Sequence, residues 1–217
     1  MPPPPSTPAR PGHVIVRSPD DGAEIDLRNP AVAALLAWLV PGLGHLYQGR
    51  TAKGGLFMGA LLAILVAGLW LGEGRVVYAS WRPGEARLAF LGQAGVGALA
   101  IPALAQAWRL GNAAHETFLG STWLAPPLHA GQYVTPRYAD RVERAEPDLP
   151  DGGFVDSPPL AVCTFDQLSL WHQRLGRFFE IGTLYTALAG MLNLLVVYDA
   201  LSGPLGDRRE DGEDPAP

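Results

Sequence analysis

This sequence predicts an all-α integral membrane protein with about four transmembrane helices: a kinked helical hairpin, two further spans, and an amphipathic interfacial helix before the last of them. Three observations carry that prediction. Residues 29–49 and 54–72 contain no Asp, Glu, Lys or Arg, with Arg50 and Lys53 the only charges between them. Two more charge-free windows follow at 88–108 and 181–198. Aromatic residues (Trp70, Tyr78, Trp81) gather at the window edges, where membrane proteins place them. A charge at the centre of a spanning helix costs roughly 2.5–3.5 kcal/mol, so four such gaps in a chain that is 17% charged read as lipid-crossing segments.

Composition narrows the function classes. The chain has 217 residues, 48% of them apolar, with 26 Gly and 21 Pro, which fits hydrophobic helices joined by irregular segments. Its net charge is -5 and it has no dense Lys/Arg patch, so nucleic acid is excluded as a partner. The single Cys163 excludes an intrachain disulfide and a multi-cysteine zinc site. No metal or cofactor pattern emerges, and none is expected.

Residues 1–28 open MPPPPSTPARPG, a proline density that favours extended backbone and predicts a mostly disordered tail. It is either a solvated spacer or a ligand for a proline-binding module. It lacks the charged, apolar, small-residue order of a cleaved signal peptide, so the first apolar helix is expected in the mature protein. Alternating Val14, Val16, Ile25 and Leu27 around Pro19-Asp20-Asp21-Gly22 predict a small β-hairpin.

Residues 29–73 form the predicted transmembrane hairpin. Its first helix runs over 30–47, with Pro30 suited to the first turn and Pro41 placed to kink it. Gly42 and Gly44 permit close helix approach, with Gly54, Gly55 and Gly59 on the second helix able to receive it. That helix, over 54–72, is long enough at about 1.5 Å per residue to cross the hydrocarbon layer.

Pro41-Gly42-Leu43-Gly44-His45-Leu46-Tyr47-Gln48-Gly49-Arg50 resembles the PGLGHxYxGR-type signature of bacterial two-helix membrane hairpin domains, and Lys53-Gly54-Gly55 is similar to the start of their second helix. The resemblance implies an integral membrane hairpin and adds no catalytic residue.

Residues 74–110 supply a connector and the third span, 88–108, studded with small residues and carrying Pro102 and Gln106. A kinked, packed helix with one buried amide follows. Gly92-Gln93-Ala94-Gly95-Val96-Gly97 has the wrong order and no βαβ context for a nucleotide loop. Residues 111–163, rich in Pro and Asp, predict an irregular extramembrane loop with a short helix near 138–145. The Pro126-Pro127 pair keeps 117–136 out of the lipid. Neither His115-Glu116 nor Ser121 has the neighbours of a catalytic motif, and Cys163 with His172 lacks a third orienting group.

Residues 164–203 begin with Thr164-Phe165-Asp166-Gln167, a capping box. Leu168, Trp171, Leu175 and Phe178 at helical spacing opposite Gln173, Arg174 and Arg177 make the amphipathic interfacial helix. The fourth span, 181–198, places Gly182, Thr186, Ala189, Gly190 and Asn193 on one face, set to meet the small face of the third helix and bond across it. Residues 179–193, with Tyr198-Asp199-Ala200, Gly203-Pro204 and the stretch STWLAPP at 121–127, resemble blocks of an uncharacterised, planctomycete-type family of bacterial inner-membrane proteins. That resemblance implies an inner-membrane location and no known activity. Residues 204–217 predict an acidic disordered tail.

Polar groups in or at the ends of spans are the functional candidates: Pro41, Gly42, Gly44, His45, Arg50, Gln106, Glu180, Thr186, Asn193 and Asp199. No catalytic residue is expected among them. Glu180 and Asp199, 19 residues apart on one helix, cannot form a catalytic pair. With four spans and cytoplasmic termini, Arg17, Arg28, Arg75, Arg82, Arg87, Arg208 and Arg209 lie inside, against Arg50, Lys53, Arg109, Arg174 and Arg177 outside. Two function classes remain. One is a non-enzymatic scaffold or small subunit in the lipid bilayer, with a membrane-protein partner or self-association. The other is a small-solute transport or lipid-binding module with a site between kinked helices, lined by His45, Gln106 and Asn193.

Overall fold

A computed structural model describes residues 15–17, 24–26, 28–81, 88–111, 122–146, 148–203 and 208–209. The proline-rich start, Arg82 and Arg87, His115-Glu116, Ser121 and the end of the acidic tail lie outside the described residues. In chain order the elements are β1 (Ile15–Arg17), β2 (Glu24–Asp26), α1 (Pro30–Leu39), α2 (Leu43–Tyr47), α3 (Thr51–Leu71), α4 (Ala89–Gln93), α5 (Gly97–Leu110), β3 (Tyr133–Val134), α6 (Pro136–Ala145), β4 (Phe154–Ser157), β5 (Leu160–Cys163), α7 (Gln167–Leu175), α8 (Arg177–Ser202) and β6 (Arg208–Arg209). The protein is mostly helical, and α3 and α8 are long and apolar enough to cross a membrane. Its contacts fall into two units, Met1–Ala60 with Asn193–Pro217, and Leu61–Leu192.

In the first unit, β1 and β2 pair antiparallel with Ile15 opposite Asp26, the predicted hairpin. Arg208 and Arg209 add a third strand beside β1, so this part of the tail is ordered rather than disordered as the sequence predicts. Two arginines with no apolar pattern carry no strand signal.

The first apolar window is not one kinked helix. Asn29 caps α1, its side chain accepting from the Val32 N–H, and Pro30 occupies the first turn. Pro41 then forces Val40 into extended backbone (φ -136, ψ 123), as a residue before proline prefers. Gly42 follows in the left-handed region at φ 80, and α2 starts there in a new direction. It returns alongside α1. A Cβ built on Gly44 would lie 2.1 Å from the Ala33 carbonyl oxygen, so only glycine lets the two backbones touch. The ends of this hairpin also meet, because the Arg28 guanidinium donates to the Tyr47 carbonyl and lies 5.5 Å from that ring. Gly54 receives Gly42 as predicted, the Cβ of Gly42 falling 2.3 Å from the Gly54 carbonyl oxygen, whereas Gly55 and Gly59 face open space.

In the second unit, the third window is also broken. Helix α4 ends at Gln93, Val96 is extended (φ -110, ψ 100), and α5 restarts at Gly97 and runs through Pro102. The break falls before Pro102, at Gly95-Val96. Gly95 explains the position: its Cβ would lie 2.0 Å from the Gly190 carbonyl oxygen, and that of Gly190 2.1 Å from the Gly92 carbonyl oxygen. The small stripe of α8 thus meets this window as predicted. Gly68 and Gly182 bring α3 and α8 together in the same way, antiparallel, the Gly182 Cβ position 2.7 Å from the Gly68 carbonyl oxygen.

Residues 122–163, predicted as irregular apart from one short helix, contain a small folded module. A three-stranded antiparallel sheet, ordered β3-β5-β4 and with Val155 opposite Val162, packs against α6. Helix α6 is the predicted short helix, capped by Thr135 and opened by Pro136. Leu128, Val134, Tyr138, Val142, Cys163 and Phe165 close a dry core. The protein is therefore not all-α. Strands of two to four residues interrupted by Asp, Ser and Pro carry too short an alternation to read from sequence.

The predicted capping box is also corrected. Helix α7 is capped by Asp166, which accepts from the Ser169 N–H at 3.3 Å, while the Thr164 hydroxyl donates to the Gly152 and Gly153 carbonyls instead. An Asp carboxylate is as good an N-cap as threonine, and Thr164 is held by the loop before β4. The amphipathic stripe of α7 stops at Leu175, because Gly176 (φ 52) ends the helix and Phe178 belongs to α8, where it is exposed.

Candidate functional site

Seven of the residues singled out by sequence converge in the first unit: Pro41, Gly42, Gly44, His45, Arg50, Asn193 and Asp199. The break at Pro41-Gly42 is what aims them. It turns α2 back so that His45, fully buried, points its Nε2 at the Asp199 carboxylate 2.5 Å away. The first turn of α3 completes the cluster. Lys53 Nζ lies 2.8 Å from Asp199, and Arg50 Nη1 lies 3.5 Å from it. Phe57, one turn further along α3, packs its ring edgewise on His45 (centroids 5.1 Å apart) and lies under the Lys53 ammonium.

Two amides tie the same elements. Gln48 Nε2 donates to the Ala200 carbonyl at 2.7 Å, and Asn193 Nδ2 donates to the Ala37 carbonyl at 2.9 Å. Asn193 thus bonds to α1, where Ala37 precedes the break closely enough to offer its carbonyl. Asp199 accepts from three donors, and the cluster carries two permanent positive charges against one carboxylate. With Nε2–H donated to Asp199, a neutral His45 keeps its bare nitrogen at Nδ1, which is buried with no hydrogen-bond partner. The contacts present form a charge-assisted clamp on Asp199.

The other three candidates stand in the second unit, each with its own partner. Thr186 accepts from Gln93 Nε2 at 2.8 Å, and the same amide donates to the Val76 carbonyl at 2.9 Å. Gln106 Nε2 donates to the Trp123 carbonyl at 3.2 Å. Glu180 faces His172 at 3.2 Å.

Sequence reasoning missed one whole polar cluster. Glu146, at the end of α6, accepts from Arg75 Nε and Nη2 (3.2 and 3.1 Å), Gln167 Nε2 (3.1 Å) and Trp171 Nε1 (2.9 Å). It joins the segment after α3, the sheet module and α7, and no local pattern announces partners 71 and 21 residues apart. Burial and the Glu146 charge push the neighbouring Tyr138 phenol well above its usual range. Burial likewise raises the Cys163 thiol, whose Sγ–H donates to the Phe165 carbonyl. Gln48 and Gln93 were legible as amides in charge-free windows but carry no charge to draw attention.

The charge contacts bear on the four-span expectation. With four spans, Arg50 and Lys53 fall on the opposite membrane face from the end of α8, yet both meet Asp199. Residues 30–47 fold back on themselves as α1 and α2, which pack side by side.

No curated protein and no solved structure is detectably similar to this chain. The model of a family of unknown function, DUF6677, matches residues 32–211, from α1 through the last strand and so including the whole His45–Asp199 clamp. The chain belongs to the DUF6677 family.

Proposed function

We propose that this is an integral protein of a bacterial inner membrane, acting as a non-enzymatic scaffold or small subunit of a membrane assembly, with residues 30–47 forming a re-entrant hairpin. Helices α3 and α8 are the spans, of about 31 and 39 Å at 1.5 Å per residue. Only 22% and 33% of their most apolar windows are buried, whereas a core helix of a soluble protein is mostly covered. Leu56, Val66, Leu184 and Leu195 are each about 60% exposed or more, which lipid tolerates and water does not.

The observation that carries the scaffold reading is how the polar groups are used. Asp199 is spent on His45, Lys53 and Arg50, and Glu146 on Arg75, Gln167 and Trp171. Both acids hold elements of the same chain together. The exposed apolar faces are then the surfaces offered to lipid, to a second copy or to a partner protein. The planctomycete-type resemblance and the hairpin signature support the bacterial membrane location.

Native mass spectrometry of the tagged protein in lipid nanodiscs tests this reading. Stoichiometric protein partners or a defined homo-oligomer support it. A lone protein that translocates a solute across liposomes overturns it.

A further inference from the structure

On the second unit lies a cavity of about 630 Å³ whose walls include Trp81, Leu104, Ala107, Trp108, Pro126 and Pro127. Its volume falls within the usual range of roughly 300–1,000 Å³ for ligand sites. The walls change character along its length. One end is apolar and aromatic, and continuous with the outer face of α5, where Ile101, Leu104 and Trp108 are exposed at three- and four-residue spacing. The other end reaches His129 and Gln132, where a second cavity of about 310 Å³ continues past Gly131 to the exposed Tyr133.

That gradient matches an amphiphile. We infer that this groove holds one glycerophospholipid of the bilayer, with an acyl chain between Trp81, Leu104 and Trp108 and the polar headgroup toward His129 and Tyr133. The inference rests on the membrane reading of α3 and α8. The inference extends that reading to the exposed apolar face of α5: with Ile101, Leu104 and Trp108 against the bilayer, a chain can enter the groove sideways from the lipid without passing through water, which makes the occupant a bilayer lipid rather than a free amphiphile. At the polar end the groove passes the His129 ring, 3.9 Å from the Asp166 carboxylate, and continues to Gln132 and Tyr133, polar side chains suited to a headgroup rather than to an acyl chain.

The test is photolabelling in nanodiscs containing phosphatidylethanolamine with a diazirine in one acyl chain, followed by peptide mapping. Adducts should concentrate on the peptides holding Leu104, Trp108 and Pro126-Pro127. Ala107→Trp, which fills the groove, should lower them roughly tenfold. His129→Ala, which leaves the walls intact, should lower them by a smaller factor, and a melting curve confirms that each variant is folded. Adducts on the Leu56 and Leu195 peptides report plain lipid exposure. If those peptides are labelled while the groove is not, or if groove labelling ignores both variants, the lipid site is overturned and the membrane reading stands. If no peptide is labelled, both fall.

Discussion

The Lys53 ammonium lies 2.8 Å from the Asp199 carboxylate, which sets the first turn of α3 beside the last turn of α8. His45 reaches the same carboxylate from α2, so one acid at the end of the chain fixes the hairpin near its start. A 154-residue separation makes this contact costly in loop entropy, and it holds only because α3 and α8 already run antiparallel.

Asp199→Ala should destabilise the protein by about 1–3 kcal/mol, the range for losing charge-assisted hydrogen bonds that are partly solvated. Lys53→Ala should cost less, since Lys53 is the most exposed member of the cluster. Thermal unfolding in detergent measures both, and a His45/Asp199 double-mutant cycle should return a coupling larger than that of Lys53/Asp199.

The glycines divide sharply. Gly44→Ala, Gly95→Ala and Gly190→Ala each drive a Cβ to about 2 Å from a backbone carbonyl and should cost about 1–3 kcal/mol or more through helix separation. Gly55→Ala and Gly59→Ala meet nothing within 4 Å and should be neutral or stabilising by ~0.5–1 kcal/mol, because alanine is the better helix former. Comparable losses at all five positions would mean the close approaches are misassigned.

Glu146→Ala leaves the Arg75 guanidinium, the Trp171 indole N–H and the Gln167 amide without their shared acceptor. A broken buried pair costs about 3–5 kcal/mol, so limited proteolysis between residues 122 and 163 should accelerate strongly. Glu146→Gln, which keeps an acceptor oxygen but drops the charge, should fall between wild type and Glu146→Ala.

Cys163 is fully buried, and burial raises its pKa, so the reactive thiolate is scarce at neutral pH. An impermeant maleimide should label it far more slowly in the folded protein than after denaturation, whichever side of the membrane is probed. Rapid labelling of the native protein would show that the sheet module opens.

The legible parts of this fold were those governed by local chemistry. Pro30 announced the first turn of α1, and charge-free length announced α3 and α8. Pro41 marked the right position, but a proline alone does not distinguish a kink from a reversal. The reversal depends on Gly42 adopting φ 80 and on Gly44 fitting against Ala33, and only the second contact is tertiary. Four of the converging candidates, His45, Arg50, Asn193 and Asp199, are polar groups in or beside apolar windows, which must find partners; Pro41, Gly42 and Gly44 shape the turn that brings them together. Their pairing was not legible, because Asp199 read as the end of a span rather than as an acceptor. The Glu146 cluster had no such filter: Arg75, Glu146 and Gln167 sit in polar sequence where charged residues are ordinary.

The account turns on residues 30–47 returning to the face they leave. Single cysteines at Ala31→Cys and Ala52→Cys, both exposed and on either side of the hairpin, can be placed in a Cys163→Ala background. Labelling with an impermeant maleimide in right-side-out and inverted vesicles then reads the side of each. Both cysteines reacting in the same vesicle orientation is the predicted result. Reaction in opposite orientations would mean that this segment crosses the membrane, and would contradict the clamp between His45, Lys53 and Asp199.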